Sequence, residues 1–302
     1  MAPLSRIVVL GDSVCWGQGL LPAHKFSTLV ANALGTPATQ VQSLAHSGAI
    51  IGVNRTNLPG APNGEIPDSY PTILDQCAVF NDSPNTVDLV LVDGGINDVE
   101  VRTILDPLTS FRVLGDRTKL HCYYDMKQLL AAVVAKFPNP NTKIVVTSYF
   151  PILSTDSELL RIPPLLQIHG IALPTTLYAD PVIRRIISLC LQFWHDSQMY
   201  LGQAVNEANA GPGGGGGRIR FAVPQFTEKN AVFATTPWLW GVNADLSPQD
   251  EVSAARIPAC QAFYPRPEDI LSREQCFRAS AGHPNVTGAA AFADAIKQSL
   301  AG

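Results

Sequence analysis

Short β-branched apolar runs alternate along this chain with amphipathic segments. The clearest runs cover residues 7–10, 41–45, 87–92, 143–147 and 218–223. Runs this short and this apolar are typical of strands that are buried on both faces. Helical periodicity lies between them, most strongly at 23–34 and 119–137. Strands that alternate with helices in this way predict an α/β fold whose sheet is mostly parallel, with right-handed crossovers.

The alternation changes character after the fourth run. From 151 to about 181 the sequence is apolar and interrupted by prolines, and a long helix is predicted over 181–209. The stretch 226–277 reads as irregular, and a last helix is predicted over 287–300. We therefore expect one domain over residues 1–302, with a cap-like insertion of about 151–275.

Length, composition and charge exclude several classes of protein. The chain has 302 residues, of which 46% are hydrophobic, so it can bury a large single core. Its net charge is −4 and no basic block occurs, which argues against a nucleic-acid partner. No apolar run approaches the ~20 residues of a transmembrane helix. The first strand begins almost at once, so no secretory signal is visible, and both a cytoplasmic protein and one secreted after processing stay open.

The six cysteines show no metal-binding spacing. None forms a CxxC pair and none is spaced from a histidine as in zinc sites, so we predict no metal and no other cofactor. In an exported protein Cys260 and Cys276 would be the best disulfide pair, because they flank a loop rich in proline and charge. In a cytosolic protein both would be buried free thiols.

Candidate chemistry lies where predicted strands end and where the last helix begins. The first strand ends in Gly11-Asp12-Ser13, Gly48 follows the second, Asn97 follows the third, and His283 precedes the last helix. Acyl transfer needs a nucleophile, a base and donors for an oxyanion, and a serine, a histidine, a backbone N–H and an amide can supply them. The carboxyl ends of parallel strands meet at one edge of a sheet, so we expect these groups to converge there.

These blocks resemble the SGNH (GDSL) hydrolases, a family of esterases and lipases. Gly11-Asp12-Ser13, Gly48, Gly95-Ile96-Asn97-Asp98 and His283-Pro284-Asn285 match its four sequence blocks in the family's order. The resemblance implies a flavodoxin-like three-layer α/β/α sandwich that hydrolyses carboxylic esters without a metal. From its irregular sequence we expect the insertion to lie over the sheet and cover the active site.

The resemblance assigns a role to each block. It implies that Ser13 is the nucleophile and His283 the general base. The oxyanion hole would consist of the N–H groups of Ser13 and Gly48 and the side chain of Asn97.

One position departs from the family pattern. The family usually has an aspartate three residues before its histidine, and this chain has Ser280 there. We expect the Ser280 main-chain carbonyl to orient His283 in a Ser-His dyad, because a carbonyl can accept the imidazole N–H. A remote acid from the insertion, Asp245, Asp250 or Glu251, is the alternative.

The substrate is less defined than the chemistry. Trp16, His46, Trp238 and Trp240 are candidates for lining the substrate site, although the tryptophans could equally pack among themselves and His46 could be structural. We expect a small-molecule or lipid ester as substrate. The alternatives are a catalytically silent relative that binds a glycan or lipid ester, and an acyltransferase. The sequence does not indicate the oligomeric state.

Overall fold

A parallel sheet of five strands forms the centre of the protein. The computed structural model describes residues 6–55, 60–61, 63–171, 180–211 and 215–301. The strands are β1 (Ile7–Leu10), β2 (Val41–Ser43), β3 (Leu89–Val92), β4 (Lys143–Thr147) and β5 (Ile219–Ala222). Their order across the sheet is β2-β1-β3-β4-β5, and every neighbouring pair is parallel. This confirms the predicted parallel α/β sheet.

Helices cover both faces of the sheet. They are α1 (Ser13–Trp16), α2 (Phe26–Leu34), α3 (Ile73–Val79), α4 (Ile96–Val99), α5 (Val101–Leu105), α6 (Phe111–Lys119), α7 (Met126–Lys136), α8 (Ile162–Ile168), α9 (Asp180–Ala210), α10 (Ser253–Phe263), α11 (Ile270–Phe277) and α12 (Val286–Ala301). Helices α2 and α12 pack together on one face, and α3, α7 and α9 pack on the other. The predicted three-layer α/β/α sandwich is therefore present.

The inner strands β1 and β3 are the most deeply buried part of the sheet. All residues of β1 and β3 are buried, which matches their lack of polar positions. Strand β1 lies between β2 and β3, and Val9 pairs with both Ser43 and Leu91. Strand β2 lies on one side of β1 and β3 lies on the other, so the strand order reverses at β1. The carboxyl ends of β1 and β3 therefore flank a topological switch point, where open α/β sheets hold their ligands.

The range 151–275 divides between the sandwich and the edge of the sheet. Helix α9 packs on β5, and β5 itself is an edge strand, so both belong to the sandwich. Helices α8, α10 and α11 lie in the remainder, among turns and irregular segments. Although 226–277 was expected to be irregular, it contains α10 and α11, and the prolines around them, with Pro258 inside α10, obscure their periodicity. A disulfide joins these two helices through Cys260 and Cys276, as predicted for an exported protein.

None of the helices in the described ranges has the length and apolar character needed to cross a membrane. The buried residues form a main core that surrounds the sheet. A small second cluster lies around the disulfide.

Gly11 is the point at which the sheet edge tolerates no side chain. It follows β1, its φ is +145°, and a Cβ there would overlap the carboxylate of Asp93. We predict that Gly11→Ala lowers the free energy of unfolding by about 3 kcal/mol, since overpacking adds to backbone strain. The measurement is urea denaturation. Gly216→Ala is the control, because Gly216 also has a positive φ, +58°, but nothing lies near its Cβ position, so it should lose only about 1 kcal/mol. Equal losses for both variants would contradict the prediction.

Candidate active site

Ser13 is the first residue of the short helix α1, directly beyond β1. Asp12 caps this helix, and its carboxylate accepts the N–H of Val14 at 2.8 Å. Ser13 is only 4% exposed, yet it lines a cavity of about 520 Å³ at the carboxyl edge of the sheet. Its Oγ lies 2.7 Å from Nε2 of His283. The structure thus brings together the serine and the histidine that the sequence singled out.

Buried carboxylates brace this turn from below. Asp93, directly after β3, accepts the N–H groups of Asp12 at 2.8 Å and Cys15 at 3.0 Å. The hydroxyl of Tyr149 donates to Asp12 at 2.8 Å and accepts the N–H of Ile96 at 3.1 Å. Burial raises the pKa of Asp12. Burial, together with the neighbouring Asp12, raises the pKa of Asp93 well above its usual value. These bonds hold the ends of β1 and β3 in a fixed relation.

Gly48 stands in a second turn at the same edge. Its φ is +79°, and a Cβ would lie 2.5 Å from the main-chain N of Asp68. Asp68 in turn donates its N–H to the carbonyl of Ser47 at 3.0 Å. A side chain at this position would break that contact, so the turn requires glycine.

Three potential oxyanion donors line the cavity beside Ser13. Among the described residues, neither the N–H of Ser13 nor that of Gly48 has an acceptor. Asn97 donates one N–H of its side-chain amide to the carbonyl of Ala49 at 2.9 Å, which fixes the amide in place. An amide has a second N–H. The arrangement can therefore present three donors to an oxygen that develops negative charge next to Ser13.

The neighbour of Asn97 anchors it to the Gly48 turn. The carboxylate of Asp98 accepts the N–H of Ile51 at 3.0 Å. Burial raises the pKa of Asp98 to about 6.

Asp98, His121 and Asp125 are the group in the described ranges that could hold a metal ion, since their ligand atoms lie within 4.8 Å of one another. His121 Nδ1 is bonded to Asp125 at 2.7 Å, so these atoms already serve hydrogen bonds within the protein.

His283 lies in a turn between α11 and α12. The main chain of Trp240 holds this turn by donating its N–H to the carbonyl of His283 at 2.8 Å and accepting that of Gly282 at 2.9 Å. Burial, together with the nearby His169, lowers the pKa of His283 to about 4. The imidazole is therefore neutral near pH 7, as a general base must be.

The second nitrogen of His283 lacks an acid. Nδ1 is buried and has no hydrogen-bond partner of normal geometry among the described residues. The main-chain carbonyls of Ser280 and Ala281 nevertheless favour the protonated ring and raise its pKa in part. The Ser280 carbonyl also accepts the main-chain N–H of His283 at 2.9 Å. Ser280 thus lies where an orienting carbonyl is needed.

The three acids considered for the orienting role lie elsewhere. Asp245 is bonded to Ser247 at 2.6 Å, and Glu251 is bonded to His24 at 2.7 Å. Asp250 accepts the hydroxyl proton of Ser280 at 2.5 Å. No described acid therefore reaches the His283 ring directly, and only Asp250 reaches the turn that carries it.

Both apolar and polar side chains line the cavity. The larger apolar ones are Val14, Ile96, Val101, Phe150, Ile152 and Ile168. The polar side chains in the lining, apart from Ser13, Asn97 and His283, are Ser47, Glu100, Arg102, His169, Gln275 and Arg278. Residues from the range 151–275 thus contribute to the wall.

The four aromatic and histidine candidates for substrate contact do not line this cavity within the described residues. The Trp16 indole donates to Glu65 at 2.8 Å and carries Lys25 above its ring. Both ring nitrogens of His46 contact main-chain carbonyls, at 2.8 Å each.

The two later tryptophans are likewise engaged elsewhere. Trp238 packs edge-on against Phe226, with ring centroids 5.2 Å apart. Trp240 forms hydrogen bonds to the His283 turn through its main chain. The aromatic residues pack within the protein, which was the alternative for them.

Sequence reasoning missed several residues of the site. Asp93 could have been found, because it directly follows a buried strand as Asp12 does. Gln76, which bonds both the N–H and the carbonyl of Gly11, lies on a helix with no pattern to mark it. No sequence pattern marks Tyr149, which follows β4, or Arg102, which lines the cavity.

Comparisons with known proteins bear on the fold. No family model and no curated protein matches the sequence. A structure search matches phospholipase A1 from Streptomyces albidoflavus NA297 with a TM-score of 0.52 and 12% identity, over 98% of this chain and 99% of that one. The chain has the fold of the SGNH hydrolases. The predicted resemblance is thereby confirmed for the fold.

Two further solved structures are similar at lower TM-scores. One is a carbohydrate esterase family 2 enzyme with a carbohydrate-binding domain, from Corynascus thermopiles (Myceliophthora fergusii). Its TM-score is 0.38 and its identity 18%, over 75% of this chain and 58% of that one. The other is a GDSL-like lipase from Parabacteroides merdae, with a TM-score of 0.40 and 12% identity over 99% and 98% of the two chains.

The low pKa of His283 predicts how the reactivity of Ser13 depends on pH in this SGNH fold. Only the neutral imidazole can accept the Ser13 proton, and the pKa of about 4 lies below the usual 6.5. The rate at which a fluorophosphonate labels Ser13 should therefore stay constant from pH 8 to about pH 5 and fall to half near pH 4.

The control for this profile is His169→Gln, because the pKa of His169 is also lowered to about 4 by burial. The acid limb should persist in this variant, since it belongs to His283. A wild-type limb centred near pH 6.5, or loss of the limb in His169→Gln, would contradict the assignment.

Proposed function

We propose that this protein is a serine hydrolase of carboxylic esters. The observation that carries the proposal is the 2.7 Å contact of Ser13 Oγ with His283 Nε2 in the wall of a cavity that Gly48 and Asn97 also line. Core packing alone does not require a buried serine, a neutral histidine and unpaired N–H groups at one place. The SGNH fold supports the same assignment.

Acylation would proceed on the Ser13 side of the cavity. Ser13 Oγ attacks the ester carbonyl carbon while its proton passes to His283 Nε2. The carbonyl oxygen becomes an oxyanion, which the N–H groups of Ser13 and Gly48 and the amide of Asn97 stabilise. When the intermediate collapses, the bond to the alcohol oxygen breaks, and that oxygen takes the proton from Nε2. The acyl group remains on Ser13.

Deacylation repeats these steps with water. A water molecule attacks the acyl carbon and gives its proton to Nε2 of His283. Collapse of the second oxyanion intermediate breaks the bond to Ser13 Oγ, which recovers the proton. The carboxylic acid leaves and the enzyme is regenerated.

The shape of the cavity favours an ester with an apolar acyl group. The lining includes large apolar side chains such as Ile96, Phe150 and Ile152. One structural neighbour, with a TM-score of 0.52, is a phospholipase A1, so a panel of test substrates should include phospholipids beside short p-nitrophenyl esters. The substrate class proposed is therefore a small-molecule or lipid ester.

One observation favours a second candidate function, a silent binder of a glycan or lipid ester. Nδ1 of His283 has no acid partner, and the imidazolium formed in catalysis is less stabilised by a carbonyl than by a carboxylate. A binder with this site would not react with a fluorophosphonate. Acyl transfer to an alcohol would use the same acyl-enzyme, and added alcohol would then yield a new ester at the expense of free acid.

Ser13→Ala tests the proposed function. Removing the nucleophile should lower kcat for p-nitrophenyl butyrate by at least about 10⁴-fold, because no acyl-enzyme can form. The matched control is Cys15→Ala, two residues away in the same helix, since burial raises the pKa of this thiol well above its usual value and leaves it unreactive. Cys15→Ala should retain most activity. Hydrolysis by Ser13→Ala at the wild-type rate would refute the proposal.

Asn97→Ala tests the oxyanion hole. Loss of one donor should lower kcat about 100-fold, with little change in KM, because the bond forms chiefly in the transition state. Gln275→Ala is the control, because Gln275 also lines this cavity. Any effect of this variant should appear in KM. An Asn97→Ala variant whose kcat equals that of the wild type would remove Asn97 from the hole.

A further inference from the structure

A buried ion-pair cluster lies behind the turn that carries His283. Arg256 of α10 has no exposed surface, and it pairs with Asp250 at 2.6 Å and with Glu65 at 3.0 Å. The side chain of Asp250 is also fully buried. Its carboxylate accepts the hydroxyl proton of Ser280 at 2.5 Å. Burying such charges is costly, and hydrophobic residues of similar volume could pack this region without them.

We propose that Asp250 is the displaced acid of the site and positions His283 through Ser280. The inference rests on the proposed function, since it concerns the base of that reaction. Asp250 touches neither the reacting atoms nor the imidazole, so it is a positioning residue. Ser280 occupies the sequence position where the family normally has its aspartate. The Ser280 hydroxyl would link Asp250 to the His283 turn.

The first step of the argument is geometric. The Ser280 hydroxyl is tied to Asp250, and the Ser280 carbonyl accepts the main-chain N–H of His283 at 2.9 Å. The first bond anchors Ser280, and the second closes the tight turn from 280 to 283. The direction of the imidazole depends on this turn, because its Nδ1 has no bond of normal geometry of its own. A displacement of about 1 Å at a reacting group can cost about 100-fold in rate.

The second step concerns charge. His283 must become an imidazolium during the reaction, and the nearby Arg256 cation opposes that change. Asp250 and Glu65 flank this cation and offset it. The other titratable side chains that line the cavity with His283 are Glu100, Arg102, His169 and Arg278. Loss of the Asp250 charge would leave Arg256 less balanced and the imidazolium less stable.

The same cluster also reaches the nucleophile. Besides Arg256, Glu65 accepts the indole N–H of Trp16 at 2.8 Å and the amide N–H of Gln18 at 2.9 Å. Trp16 is the last residue of helix α1, which begins at Ser13. A continuous chain of charged bonds therefore runs from the Ser13 turn through Arg256 to the Ser280 turn.

The experiment is a double-mutant cycle of Ser280→Ala and Asp250→Asn, with p-nitrophenyl butyrate as substrate. Each single variant should lower kcat about tenfold and leave KM within about twofold. The double variant should be no slower than the slower single variant, because both changes break one link. The acid limb of the kcat/KM profile should move to lower pH in Asp250→Asn, since its imidazolium is less stable.

A buried serine elsewhere provides the control. Ser157 is 4% exposed and its hydroxyl donates to the carbonyl of Val232 at 2.7 Å. Ser157→Ala should lower the Tm about as much as Ser280→Ala without changing kcat. If Asp250→Asn fails to fold, Ser280→Ala alone decides the question, because it removes one hydroxyl and leaves the ion pairs in place.

The outcomes separate this inference from the proposed function. Wild-type activity in Ser280→Ala, or losses that multiply in the double variant, would overturn the role of Asp250 while Ser13-dependent hydrolysis stands. Absence of Ser13-dependent hydrolysis in the wild type would instead overturn the proposed function itself.

Discussion

The hydrogen bond between Ser13 Oγ and His283 Nε2 joins two turns that are 270 residues apart in the sequence. The local secondary structure around each residue does not by itself bring the two side chains together. Ser13 stands at the end of β1 and His283 stands just before α12, so the contact exists only when the whole sandwich is formed. The rest of the structure can be understood as what fixes these two turns relative to each other.

Each turn is held by buried polar groups rather than by apolar packing alone. Asp93 and Tyr149 brace the Ser13 turn, while Trp240 and Ser280 brace the His283 turn. A buried polar group that loses its partner costs about 1–3 kcal/mol, so each of these bonds strongly disfavours other arrangements of the turn. The two sets are linked through Glu65, Arg256 and Asp250. Precision at the site is therefore a property of its surroundings.

The sequence was sufficient to predict the sheet and which candidate residues meet at its edge, because both depend on local signals. A buried strand is recognisable from its apolar run, and the polar residue that follows it must lie at the carboxyl edge of a parallel sheet. Ser13, Gly48 and Asn97 follow from this rule. His283 followed from the resemblance, together with its place before a helix.

The remaining features depend on contacts that no local pattern encodes. Trp238 and Trp240 are aromatic and partly buried, but the sequence does not show whether a ring faces a cavity or the core. The link from Asp250 to Ser280 spans 30 residues and depends on Arg256, whose helix is obscured by a proline. The orienting group of His283 was therefore left open between a carbonyl and a remote acid, and the structure places both kinds of group at the same turn.

The most direct test of the account is to trap the acyl-enzyme. The wild-type protein is mixed with an excess of p-nitrophenyl butyrate and quenched in acid within the first turnover, and its mass is measured intact and after digestion. The account predicts one added butyryl group on the peptide that contains Ser13, and none in a His283→Ala variant. Ester turnover without any acyl group on Ser13, or an acyl group on another residue, would contradict it.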